Sequence, residues 1–114
     1  MPALAIHAPS SKAVNQGFRS FAATVRLRRG HAYAISRSEY AQITPGCDVI
    51  VLDKDAAIPS RAEGKLRKLK RNGTTRNNIP RYDVLMTKLS TVPYRPLPLM
   101  PNGRMFNRRG VRIL

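Results

Sequence analysis

Thr44-Pro45-Gly46-Cys47-Asp48-Val49-Ile50-Val51-Leu52 decides the fold class of this chain. Proline presets its own φ and glycine accepts a positive one, so Thr44-Pro45-Gly46 is a turn that delivers the backbone into Cys47–Leu52. Four consecutive apolar residues, two of them valine and one isoleucine, predict a strand covered on both faces and therefore central in a sheet. Asp53-Lys54-Asp55 is then expected to break out into solvent.

Alternation of apolar and polar residues extends the β reading on either side. Phe21, Ala23, Val25 and Leu27 alternate with Ala22, Thr24, Arg26 and Arg28, the period of a half-buried strand that Arg29-Gly30 closes. His31–Ile35 is expected to form a second short strand, with Tyr33 and Ile35 on one face and alanines on the other. Ser36 stands three residues before Glu39, so it is expected to cap one helical turn through Tyr40 and Ala41. Tyr82, Val84 and Met86 alternate with Asp83, Leu85 and Thr87, which predicts another strand, and Val111–Leu114 a last one. Pro93, Pro96, Pro98 and Pro101 lack amide donors, so 93–101 is expected to run as an extended, polyproline-like segment.

Ser60–Gly73 supports two readings. As a helix, Ser60 and Glu63 form a capping box and Ala62, Leu66 and Leu69 repeat at helical spacing before Gly73. As a strand, Gly64 marks a bulge and Asn72-Gly73 a hairpin turn. Residues 1–17 mix Pro, Ser, Ala and Asn without periodicity and are expected to be a flexible leader. The expected whole is a single β-rich domain over 18–114. It is mainly β, with α+β as the variant: a small twisted barrel of about five or six short strands, one or two helical turns and extended basic termini.

Charge narrows the function. A chain of 114 residues with net charge +15 can hide few of its cations and must present them to something acidic. Arginine outnumbers lysine 15 to 6, and the planar guanidinium fork suits phosphate oxygens and stacked bases. Between 61 and 76 the cations Arg61, Lys65, Arg67, Lys68, Lys70, Arg71 and Arg76 face one acid, Glu63. Arg104, Arg108, Arg109 and Arg112 form a second cluster around Phe106, a ring able to stack on a base or to plug the core. Tyr33 and Tyr40 flank the expected helical turn and are candidates for lining a pocket that receives an unpaired base.

Catalysis finds little support. The single cysteine, Cys47, excludes an internal disulfide, and with only His7 and His31 beside it no zinc cluster assembles at usual spacings. Asp48 beside Cys47 disfavours a thiolate, and no phosphate-binding glycine loop is present. No catalytic residue, metal or cofactor is expected. The longest apolar run is far shorter than the roughly 20 residues of a membrane helix.

The stretches 44–52, Ala62-Glu63-Gly64-Lys65-Leu66 and Arg81-Tyr82-Asp83-Val84 together resemble the small β-barrels of the PUA-like superfamily, which includes PUA, ASCH and EVE domains. Those domains carry a Gly-Asp turn before an apolar strand and a following Ala-Glu-Gly strand. Here Cys47 separates Gly46 from Asp48. The resemblance covers about residues 30–90 and implies a pseudobarrel whose mouth binds RNA or an altered base in DNA, without transferring a pocket residue.

The expected function is thus a small, non-enzymatic nucleic-acid-binding module, a reader of RNA or of a modified base. The alternatives are a ribonucleoprotein component of the ribosome-associated kind, and an adaptor or inhibitor that offers its cations to an acidic protein. Its expected location is cytoplasmic or nucleoid-associated, ahead of the mitochondrial matrix that an acid-free N-terminus would also suit.

Overall fold

The structure, a computed structural model, describes residues 2–8 and 20–114. It is mainly β: six strands form one sheet in the order β2-β5-β4-β3-β1-β6, curled into a half-barrel, with two short helices. The central strand is the one that the apolar run predicts. β3 (Asp48–Asp53) pairs antiparallel with β4 (Ser60–Thr74) on one side and parallel with β1 (Leu4–His7) on the other. Val49 and Val51 point into the main core with Leu4, Ile6, Val84 and Val111, whereas Leu52 packs in a second cluster with Ala5, Leu97 and Phe106. Both faces of β3 and β1 are therefore covered, which is why neither strand alternates polar and apolar residues. Asp53 does not break out into solvent; it is the last residue of β3 and 1% exposed.

β1 overturns the leader reading for the residues that it contains. Leu4, Ala5 and Ile6 are fully buried, and β1 is flanked by β3 and by β6 (Val111–Ile113). Ala3 and Leu114 exchange reciprocal amide–carbonyl bonds of 3.1 and 2.8 Å, so neither described terminus is an extended arm. A three-residue apolar run becomes a strand here only because distant partners supply its ladder. Residues 1 and 9–17 of the expected leader lie outside the described residues.

The segment expected as the first strand is instead α1 (Phe21–Leu27). Ser20 caps it, its hydroxyl accepting from Ala23 N at 3.1 Å, and Arg28 ends it in the left-handed region at φ 53°. Seven residues fit both periods. What decides is burial: Phe21 and Thr24, one turn apart, face the core, while Leu27 is 51% exposed. β2 (Arg29–Ala34) follows, and then α2 (Arg37–Ala41), whose Ser36/Glu39 capping box forms as expected.

Ser60–Gly73 resolves as strand, paired along its length with β5 (Pro80–Val92). The bulge expected at Gly64 is present as a register shift between Glu63 and Lys65. Only glycine fits there, because a Cβ would lie 2.8 Å from the Thr87 carbonyl oxygen and 2.9 Å from Leu89 Cα. Asn72-Gly73 is not the hairpin turn: Gly73, at φ +91°, sits in a second irregularity between Arg71 and Thr74, and the chain reverses over 75–79. That reversal is closed by Thr75 N donating to Ile79 O at 2.9 Å.

Residues 93–100 contain neither strand nor helix, as their prolines dictate, and Leu97 seals the second cluster. The curl brings β2 back toward β1 and the loop preceding β6 without a ladder between them. Tyr33 Oη donates to His7 O at 2.7 Å, and Arg109 Nη1 donates to Ala34 O at 2.9 Å. Side chains, not paired backbones, close this seam.

Candidate nucleic-acid interface

Strand alternation divides the dense cationic run of β4 between different surroundings. Residues directly opposite in an antiparallel pair share a face, so Leu69–Val84 and Leu66–Met86 mark the core side. Lys68 lies opposite Leu85, and Leu85 lies opposite Arg29 on the next strand, which sets Lys68, Leu85 and Arg29 in a row across three strands on the outer face. Arg67 is the extra residue of a third bulge, between Leu66 and Lys68.

Around this row is an open groove of about 480 Å³ lined by five cations, Arg28, Arg29, Arg67, Lys68 and Lys70, over a floor that includes Leu27 and Leu85. No carboxylate lines it among the described residues. Arg67, Lys68 and Lys70 are exposed and take part in no ion pair with a described residue. Like charges held this close raise the local potential and favour an anion that bridges several of them.

Beneath the groove lies Asp83, fully buried. One of its carboxylate oxygens accepts from Arg29 Nε at 2.8 Å and from Arg29 Nη2; the other accepts from Ala32 N and from Asn72 Nδ2, both at 2.8 Å. His31 Nδ1 stands 3.7 Å away. Burial pushes the Asp83 carboxyl up, but the hydrogen bonds from Asn72, Arg29 and Ala32 and the Arg29 charge outweigh it, and its pKa falls below the ordinary value. Asp83 thereby fixes Arg29 at the groove while the Arg29 side chain stays 44% exposed.

The other residues singled out from sequence are dispersed. Arg61 is 7% exposed and gives Nε to Glu63 at 2.7 Å and Nη1 to Arg95 O at 2.8 Å, a cross-tie within the fold and not an open phosphate contact. Lys65 pairs with Asp48, its register partner. Arg71 is exposed, with Nε on Gly73 O and Nη2 on Thr74 Oγ1, and its opposite residue is Tyr82 on the core side. Arg76 is exposed in the hairpin turn.

Arg104 and Arg108 are exposed on the C-terminal loop, where they line a different cavity. Arg109 is committed to Glu39 Oε1 at 2.6 Å and to Ala34 O. Burial raises the Glu39 pKa, but bonds from Arg109 and from Ser36 outweigh this and leave it below the ordinary value. Phe106 is buried and stacks on His7 with centroids 5.4 Å apart, so the core claims its ring. Tyr33 sits partly buried against the core, whereas Tyr40 is 46% exposed and stacks on Tyr82 at 5.1 Å; the register pairs Tyr33 with that same Tyr82. Neither lines the basic groove or the cavity of the C-terminal loop.

Arg28, Arg29 and Asp83 are the site residues that sequence reasoning passed over. Their signal was an arginine pair before a glycine and a lone acid inside an apolar strand. The Cys47 thiol is 1% exposed and pushed up in pKa, chiefly by burial and further by Asp48. Among the described residues no three His, Cys, Asp or Glu side chains gather as metal ligands, and no helix is long and apolar enough to cross a membrane. Comparison of the chain with protein-family models, with curated proteins and with solved structures finds no match.

Proposed function

We propose that the protein binds the phosphate backbone of nucleic acid through the groove between the α1–β2 junction and β4–β5. The observation that carries this is the set of five cations that line the groove with no carboxylate among its described residues. Guanidinium and ammonium groups so placed replace the condensed counterions of a polyphosphate, and the release of those ions drives association. Arg29 is already oriented by Asp83, which lowers the ordering cost of one contact. The role is one of binding, and the resemblance to PUA-like barrels supports the same class of partner.

The test is fluorescence anisotropy with labelled DNA and RNA oligonucleotides, single-stranded and duplex, titrated at several salt concentrations. If five phosphates are neutralised, affinity falls on the order of 10²–10³-fold between 50 and 200 mM salt. Reversing Arg67, Lys68 and Lys70 to Glu together removes most of the binding and flattens the salt slope. Binding that ignores salt, or that survives the triple reversal, overturns the proposal. Tight binding of a polyglutamate chain with none of nucleic acid would assign the groove to an acidic protein instead.

A further inference from the structure

The cavity at the C-terminal loop has a different chemistry from the groove. It measures about 620 Å³, within the range of small-molecule sites and larger than a phosphate ion needs. Arg104 and Arg108 line it, both exposed and in no ion pair with a described residue. Leu99, 63% exposed, and the half-buried Met105 give it an apolar side, and Lys54, also in the lining, donates to Asp55 there at 2.8 Å. Cations beside an apolar wall together fit a molecule that has a flat ring and a phosphate.

The loop is held in shape before any ligand arrives. Glu39 grips Arg109 Nη1 at 2.6 Å and Asn107 Nδ2 at 3.1 Å, and Asn107 Oδ1 accepts from Arg109 N and Val111 N. The Arg112 guanidinium ties down the Pro98 and Met105 carbonyls, while buried Phe106 anchors the middle of the loop on His7. Each tie limits motion that binding would otherwise have to freeze.

We propose that this cavity receives one nucleotide unit, its phosphate on Arg104 and Arg108 and its base along Leu99 and Met105. The unit can come from a free mononucleotide or from the phosphorylated end of a chain. The site has its own residues and stands or falls independently of the groove.

Amide NMR of the full chain tests it with AMP, UMP, inorganic phosphate, and a tetranucleotide carrying either a 5′-phosphate or a 5′-hydroxyl. Saturable shifts over 99–108 are expected with the mononucleotides or with the 5′-phosphorylated tetranucleotide, whichever source the cavity accepts, and weaker ones with phosphate alone. R104E/R108E weakens that binding by at least roughly tenfold, whereas K68E/K70E leaves it unchanged and instead impairs duplex binding, so the two sites fail separately. A preserved dispersed spectrum shows each variant folded. Absence of shifts with every nucleotide probe, equal binding of inorganic phosphate, or shifts that persist in R104E/R108E overturns the proposal.

Discussion

Asp83 accepts hydrogen bonds from three residues, and an asparagine in its place could not accept them all, because the amide nitrogen would turn a donor toward donors. D83N should therefore lower stability by roughly 1–3 kcal/mol, read from urea denaturation at neutral pH. Asp83 and Glu39 both have folded-state pKa values below their ordinary ones. The stability they contribute is complete above the ordinary carboxylate value of about 4 and is lost as pH falls through the folded values. Acid should thus erode the stability of the native chain, and D83N should show a shallower slope from about pH 4 downward. Identical slopes would mean that Asp83 gains nothing from its donors. The lone acid inside an apolar strand is legible in the sequence; the donors that surround it are not. Two of its donors come from β2, 54 and 51 residues away, and the third from β4 across the hairpin.

At the scale of elements, β1 gives the sharpest expectation. Ile6 is fully buried in the main core, so I6A should cost about 2–5 kcal/mol in thermal or chemical unfolding, and the amides of Leu4–His7 should exchange as slowly as those of β3. A change within error of zero would return these residues to the status of a leader. The elements legible beforehand carry their own signal: the apolar run of β3, the alternation of β5, the Ser36/Glu39 capping box. Those misread depend on partners. α1 offered seven residues in which a period of two and a period of 3.6 coincide, and β4 carried helical spacing and strand bulges together until its pairing with β5 decided. The cationic run itself was plain to see. That it would be divided between the groove, ion pairs with Asp48 and Glu63, and the core side followed only from strand geometry.

The whole molecule carries +15 net charges, and Glu39, Asp48, Asp55, Glu63 and Asp83 are each already in an ion pair within the fold. Self-repulsion among the remaining cations opposes compaction, and salt screens it. The melting temperature should accordingly rise with sodium chloride while nucleic-acid affinity falls, with each kcal/mol of relieved repulsion worth roughly 4–8 °C in a domain near this size. Calorimetry over a salt series checks the sign, and a melting temperature that drops with salt would show that the internal ion pairs dominate. The seam between β2 and the strands across from it will respond differently from every other junction. Elsewhere neighbouring strands are stitched by main-chain bonds that only a proline substitution could delete, whereas there a phenol and a guanidinium act as two removable latches. Pulled apart mechanically, the curled sheet should yield at that line first, and Tyr33→Phe with Arg109→Ala would leave it ajar with every strand pair still intact.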